Sequence, residues 1–398
     1  MVTRQEYLDK LIKLKDKQVI KVVTGVRRCG KSTLLQQFRE YLRGCGVEEA
    51  KIISINFEDI AYDHLLDYKS LYTYVNEQVV PGEMTYVFLD EVQNVQDFQK
   101  AVDSLFIKEN VDVYITGSNA YMLSGELATL LSGRYIEIQM LPFSFAEYFE
   151  LVQGDRRDAW NTYFQYGGFP YAAQIEEDDI RRDYLSGIYN TVLLKDIVAR
   201  KKVQDVPLLE SITKFLFDNI GNIVSSKKIA DSLTSFGRKT TSVTTENYIK
   251  ALMDSFILYK AERYDVKGKQ HLKSLEKYYL VDVGLRRLIL KDKHTDIGHI
   301  LENIVYLELI RRGYRVHIGK VGNLEIDFVA ETDDNRIYYQ VAASVLDSNT
   351  FAREIAPLKK IADHYPKYII SMDEVSINED GIRQINVVDF LLLSQKKA

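Results

Sequence analysis

Over the first 150 residues the hydrophobic and polar positions alternate between two rhythms. Short runs rich in apolar and β-branched residues, VIKVVT (19–24), KIISINF (51–57), TYVFLD (85–90) and VDVYITG (111–117), end at polar or turn residues and predict strands. Between them the apolar positions fall at helical spacing. Leu34, Leu35, Phe38, Tyr41 and Leu42 make one stripe in KSTLLQQFREYLRG, which Gly44 stops. A shorter strand-like run, RYIEIQM, follows at 134–140. Strands alternating with helices predict a parallel α/β sheet covered on both faces.

Beyond residue 140 the rhythm changes. Residues 141–204 read as a helical connector or lid, ending in DDIRRDYLSGIYNTVLLKDIVAR. Residues 205–292 hold three helical patterns and then two β-type runs, FILYKAERYD and KYYLVD, which is the element order of a winged helix. Residues 293–398 begin with a helix, ILENIVYLELIRR. Strands YRVHIGK, LEIDFVA and RIYYQVA follow, then a helix near 350–363 and a strand, PKYIISM. The expected boundaries are therefore 1–140, 141–204, 205–292 and 293–398.

Composition narrows the class without changing this reading. At 46% hydrophobic and 27% charged, the 398 residues match an ordinary globular protein and exclude disordered and fibrous classes. No apolar run approaches the roughly 18 residues of a spanning helix. The N-terminus, MVTRQEYLDKLIKLKDKQ, lacks the apolar stretch of a signal peptide, so a cytoplasmic location is expected. Cys29 and Cys45 are the only cysteines, too few for a disulfide framework or a cysteine-rich zinc module. The net charge of −5 argues against a nucleic-acid partner until it is divided along the chain. Residues 1–180 carry −10, residues 181–290 carry +8 and residues 291–398 carry −3. The middle is basic.

The segment GVRRCGKS at 25–32 matches G-x-x-x-x-G-K-[ST] at every fixed position, between a predicted strand and a predicted helix. Gly25 and Gly30 let the backbone of Gly25, Val26, Arg27, Arg28, Cys29 and Gly30 curl so that successive N–H groups face phosphate oxygens. The helix from Lys31 adds its positive end. Lys31 is placed to reach the β- and γ-phosphates, Ser32 to ligate Mg²⁺, and Thr33 to touch the α-phosphate. Arg27 and Arg28 are expected to hold nearby acidic groups or nucleotide oxygens, and Cys29 to fill the loop.

Such a loop requires an acidic residue at a neighbouring strand end for Mg²⁺ and a group to orient water. TYVFLDEVQNV supplies Asp90 for the metal and Glu91 as the base. Ser118 and Asn119, after the next strand, are candidates to sense the γ-phosphate; an ordinary polar turn is the alternative. Arg134 is either an arginine finger, in cis or in trans, or a surface arginine opening a strand.

These residues carry a resemblance. GVRRCGKSTLL, FLDEVQN, ITGSNAYMLSGE, SGRYIEIQMLPFSFAEYF and YGGFP resemble a family of prokaryotic AAA-type ATPases, in which an N-terminal ATPase domain precedes a C-terminal domain of unknown function. The resemblance spans nearly the whole chain. It implies ATP as the nucleotide and Mg²⁺ as the metal, with Lys31, Ser32, Asp90 and Glu91 in the roles given above. It also implies a possible homo-oligomer, since AAA-type ATPases often form rings.

In the basic middle, SSKKIADSLTSFGRKTTSVTTENYIKALMDS reads as helix, turn and recognition helix, the last from about Ser242. Lys227, Lys228, Arg238 and Lys239 flank it, and Lys267, Lys269 and Lys273 lie in the wing; these are the DNA-contact candidates. Protein docking is the alternative use of such a module. The last hundred residues resemble the PD-(D/E)XK nuclease fold, with Glu302, Asp327 and Gln340 at its motif positions. The expected E-x-K reads Gln340-Val341-Ala342, so the lysine that activates water is missing and the scaffold is expected to be inactive. Three functional readings follow: an ATP-driven switch acting on DNA, an ATP-gated nuclease, and a nucleotide-regulated docking protein.

Overall fold

The computed structural model describes residues 2–120, 131, 133–199, 203–268, 270–290 and 296–393. The strands predicted before residue 142 form one five-stranded parallel sheet: β1 (Ile20–Thr24), β2 (Ile52–Asn56), β3 (Thr85–Asp90), β4 (Val111–Gly117) and β5 (Tyr135–Gln139), in the order β2-β3-β4-β1-β5. Every residue of β1, β3 and β4 is buried, which is why these strands read as continuous apolar runs rather than alternating ones. Among the described residues, four α-helices accompany them: α1 (Gln5–Leu14), α2 (Lys31–Gly44), α3 (Tyr68–Gln78) and α4 (Phe98–Phe106). Leu71 and Val75 of α3, and Val102 and Leu105 of α4, close a core with Val87, Leu89, Val113 and Ile115.

Lys21 of β1 and Asp112 of β4 are charged residues inside the sheet. They form a buried ion pair, and the Tyr114 hydroxyl donates to Asp112 Oδ2 at 2.8 Å. The pair lies where these strands begin, away from the loop at their ends.

The chain divides into two compact units, Met1–Pro142 with Asp254–Phe256, and Phe143–Met253 with Ile257–Ala398. The second unit starts with α5 (Phe145–Val152), α6 (Arg156–Tyr166) and α7 (Asp178–Asn190), followed by a π-helical turn sequence at Thr191–Ala199. A capping box, Ser144 with Glu147, starts α5. Next come α8 (Val206–Asp218), α9 (Ser226–Ser235), α10 (Ser242–Asp254) and a hairpin of β6 (Leu258–Asp265) and β7 (Gln270–Leu280).

After α11 (Val283–Leu290) and α12 (Ile297–Arg311), strands β8 (Arg315–Val321), β9 (Leu324–Glu331) and β10 (Arg336–Val341) lead to α13 (Ser348–Lys359) and β11 (Lys367–Ser371). Then follow β12 (Asn378–Glu379), β13 (Ile382–Asn386) and α14 (Val387–Leu392). All eight of these strands share one mixed sheet, ordered β12-β13-β11-β10-β9-β8-β6-β7. The hairpin is thus hydrogen-bonded to the C-terminal strands, through parallel pairing of β6 with β8. Among the described residues, no helix is long and apolar enough to cross a membrane.

Candidate active site

The loop at 25–30 leaves the C-terminal end of β1 and enters α2. Gly25 has φ +147°, and a Cβ there would stand 2.3 Å from the Met140 carbonyl oxygen; Gly30, the residue capping α2, has φ +103°. Only glycine meets both demands without strain. No acidic residue occupies the first turn of α2, so the positive end of the helix is left to an anion. Lys31 is buried, with Nζ donating to the carbonyls of Gly25 at 3.1 Å and Val26 at 3.3 Å. The same ammonium lies 3.4 Å from Glu91 Oε1.

Asp90 ends β3, and β4 lies between β3 and β1, so Asp90 and the loop emerge on the same edge of the sheet. Burial pushes the Asp90 carboxyl up from its ordinary range, and hydrogen bonds from Ser32 and Thr116 oppose the rise. Two hydroxyls and a buried carboxylate form an oxygen donor set suited to a hard cation such as Mg²⁺. Glu91 holds a left-handed backbone, φ 52°, unusual for a residue with a side chain. Burial raises its carboxyl too, but Lys31, Gln93, Arg27 and Ser118 together hold it below the usual carboxylate range. Glu91 is therefore ionised at neutral pH.

Thr116 is a site residue that the sequence reading missed. Its hydroxyl accepts the Glu91 N–H at 2.9 Å and donates to Asp90 Oδ1, which ties the Asp90 carboxylate to the Glu91 backbone. The signal lay in the strand pattern, since a parallel sheet places the end of VYITG beside the end of TYVFLD. Arg4 was missed as well. It is buried in the N-terminal segment, and its guanidinium donates to the Cys29 carbonyl at 3.0 Å and the Leu141 carbonyl at 2.8 Å.

Within the loop, Arg27 pairs with Glu58 at 2.9 Å, and Arg28 is exposed with φ 67°. Cys29 is fully buried, and burial raises its thiol out of the reactive range. Thr33 is half-buried one residue beyond Ser32. Ser118 and Asn119 are buried just past the end of β4, on the edge that carries Asp90.

Arg134 is elsewhere. β5 runs parallel to β1 with Ile20 opposite Tyr135 and Thr24 opposite Gln139. Arg134 therefore stands where the strands begin, about 17 Å from the loop at ~3.3 Å per residue. It is paired with Asp103 and lies against the Phe106 ring. This register sets Arg134 apart from its own chain's loop, so the readings left are action in trans and a surface arginine opening a strand.

The nuclease-like positions do come together in the second unit. Glu302 on α12, Asp327 on β9 and Gln340 on β10 are all buried. Gln340 Oε1 accepts the Asp327 N–H at 3.3 Å, and Gln340 Nε2 donates to Glu354 Oε2 at 2.8 Å. At their centre is a lysine from an unexpected direction. Lys277 of β7 is buried, with Nζ 2.9 Å from Glu302, 2.8 Å from Glu325 and 3.7 Å from Asp327. Tyr279 also donates to Glu302 Oε1, at 2.6 Å. Lys359 points away and pairs with Glu379 and Asp380 on the surface. Among the described residues, no three His, Cys, Asp or Glu side chains are arranged to hold a metal ion.

Of the DNA-contact candidates, Lys227, Lys228, Arg238, Lys239 and Lys267 are exposed. Phe236, between α9 and α10, is 80% exposed beside them, and Val243 is exposed too. Lys269 lies outside the described residues, as does the side chain of Lys273.

Comparison with known proteins agrees with the first unit's geometry. The AAA domain family matches residues 17–149, and the Domain of unknown function (DUF8612) matches residues 157–296. The chain is 41% identical over 399 residues to an uncharacterized protein of Haemophilus influenzae, covering 98% of this chain and 99% of that one. It is 27% identical over 392 residues to an uncharacterized protein of Methanocaldococcus jannaschii, covering 93% and 85%. A Walker-type ATPase of Pyrococcus abyssi has a similar structure, with a TM-score of 0.52 at 16% identity over 73% of this chain and 96% of that one. That likeness concerns the fold.

Proposed function

We propose that this chain, which belongs to the family of its Haemophilus influenzae relative and carries an AAA domain, is an ATP-hydrolysing switch whose second unit engages DNA or another partner. The observation that carries the reading is the convergence of Lys31, Ser32, Asp90 and Glu91 on one sheet edge, with Glu91 ionised 3.4 Å from Lys31. Loop amides and Lys31 hold the phosphates. Ser32 and Asp90 would hold Mg²⁺, which would supply neutralisation of phosphate charge. Glu91 accepts a hydrogen bond from the attacking water and orients it in line with the γ-phosphorus; the water oxygen bonds to that phosphorus as the bridge bond to the β-phosphate oxygen breaks, and the water proton passes through Glu91 to the released phosphate, leaving ADP. Ser118 and Asn119 stand ready to contact the γ-phosphate from β4, and Arg134 of one chain serves another's site where chains assemble.

DNA engagement is supported by the exposed cations around the α9–α10 turn. The exposed Phe236 and Val243 suit a protein partner equally, so docking is the second reading. The nuclease reading is disfavoured by Lys277, whose ammonium already satisfies the carboxylates that a metal would need. The test is the ATPase rate against protein concentration, with and without double- or single-stranded DNA. A DNA-stimulated rate supports the switch. A rate indifferent to DNA, with no DNA binding at low salt, leaves the docking reading; no ATP hydrolysis under any condition overturns the proposal.

A further inference from the structure

Two sequence motifs, QMLPFSF at 139–145 and YGGFP at 166–170, have no part in the nucleotide chemistry. Each is built into a tight backbone joint, and the two joints are consecutive along the chain.

The first joint lies in the first unit. The Met140 carbonyl is so close to Gly25 that no side chain fits between them, and the Met140 N–H donates to the Thr24 carbonyl at 2.7 Å. Leu141 is held at both ends: its carbonyl by Arg4, which also holds the loop through Cys29, and its N–H by the Tyr7 hydroxyl at 3.2 Å. Met140 and Leu141 are thus fixed to the phosphate-binding loop from two sides.

The second joint lies in the second unit and begins at its first residue. The Phe143 N–H donates to the Gly168 carbonyl at 2.7 Å, and the Phe143 carbonyl accepts from the Tyr163 hydroxyl at 3.0 Å. A Cβ on Gly168 would meet that carbonyl at 2.3 Å. The Gly168 N–H in turn donates to Asp282 Oδ2 at 2.6 Å, and the Gly284 N–H to Oδ1 at 2.8 Å. A Cβ on Gly167 would stand 1.8 Å from that same carboxylate, and one on Gly284 2.1 Å from the Tyr166 carbonyl. Asp282 is buried and directly precedes α11, two residues beyond the end of β7. It clasps the YGGFP turn to the start of α11.

Between the joints the chain has one residue, Pro142, whose ring fixes φ. Met140 meets Gly25 and Thr24, and Phe143 meets Gly168, backbone to backbone; the last link is the short Asp282 carboxylate, which takes the Gly168 N–H. We infer that Met140–Phe143 is a coupling strap that carries the state of the phosphate-binding loop to the Asp282 clasp. The inference rests on the nucleotide reading of the loop. Its source of motion is the Lys31 ammonium, which gives two of its three N–H donors to the Gly25 and Val26 carbonyls and lies 3.4 Å from Glu91; an arriving phosphate oxygen draws it away from Glu91 and changes its pull on those carbonyls. Gly25 is the loop residue that Met140 touches.

Hydrogen exchange of the full chain, with and without a non-hydrolysable ATP analogue and Mg²⁺, tests this. In the wild type the analogue should slow exchange at 25–33 and also change it at 140–143, Gly168 and Gly284. In Asp282→Asn, which keeps an acceptor and the side-chain shape, protection at 25–33 should persist. The Gly168 and Gly284 amides should exchange about tenfold faster or more and lose their response to nucleotide. Gly168→Ala should uncouple in the same way. Protection confined to 25–33 in the wild type, or an unaltered response at Gly168 and Gly284 in Asp282→Asn, overturns the strap alone. No protection at 25–33 overturns the nucleotide site, and the strap with it.

Discussion

The two units each bury a lysine among carboxylates, and the two lysines have opposite fates. Lys31 bonds two backbone carbonyls at 3.1 and 3.3 Å and stands 3.4 Å from a single carboxylate, at the start of a helix whose amides face outward. Its bonds are ones a phosphate can replace. Lys277 has two carboxylates within 2.9 Å and a third at 3.7 Å, in a pocket that Tyr279 also fills. Its neighbours keep its ammonium charged despite burial. Residue type therefore does not separate a ligand site from a scaffold. Replaceable partners and a free helix end do.

The comparison can be broken from either side. Glu91→Gln removes the carboxylate proposed to orient water and keeps the residue's size. ATP hydrolysis should fall about 10²–10⁴-fold with ATP affinity retained, measured by phosphate release beside a binding titration. Wild-type turnover would remove Glu91 from the mechanism.

Lys277→Met strips the cation from Glu302, Glu325 and Asp327. Unfolding of the second unit should cost about 3–5 kcal/mol less than in the wild type, read by denaturant titration, because buried charges lose their partner. ATP affinity should not change. A stable Lys277→Met chain would mean that the cluster is looser than its distances imply.

Asp282 gives a smaller, pH-dependent effect. Burial pushes its carboxyl up to about 7, against two N–H bonds that oppose the rise. A raised acid pKa means that the folded chain binds a proton the unfolded chain has lost. This group's contribution to stability is therefore present at acidic pH and falls as pH rises towards 7. Between pH 5 and 6 the fall is about 1.4 kcal/mol, and Asp282→Asn should remove that slope. Parallel stability–pH curves for the two chains would contradict the burial argument. The smallest effect concerns Arg134, which the sheet register keeps from its own loop. Arg134→Ala should leave ATP affinity in dilute solution unchanged; a large loss there would contradict the assigned register.

Much of the first unit was legible because its signals are local. The run at 19–24 appears as Ile20–Thr24 and the run at 111–117 as Val111–Gly117, since fully buried parallel strands need unbroken apolar sequence. The loop could be read residue by residue because its chemistry is contained in eight consecutive positions. Thr116, Arg4 and Asp282 could not be read this way, because each acts on a residue brought near only by the fold. Lys277 illustrates the same limit. The motif places a lysine two residues beyond Gln340, whereas the cation comes from a hairpin strand earlier in the chain. The YGGFP glycines were visible as a motif, but their reason, a carboxylate with no room for a Cβ, lies across the fold.

The central claim is that the loop at 25–32 takes Mg-ATP through Lys31. The most direct measurement is a titration of the purified wild-type chain and of Lys31→Ala with ATP and Mg²⁺. Saturable binding in the wild type, weakened about a hundredfold or more in Lys31→Ala by loss of charge-assisted hydrogen bonds, is the predicted result. Equal affinity in the two chains would contradict it.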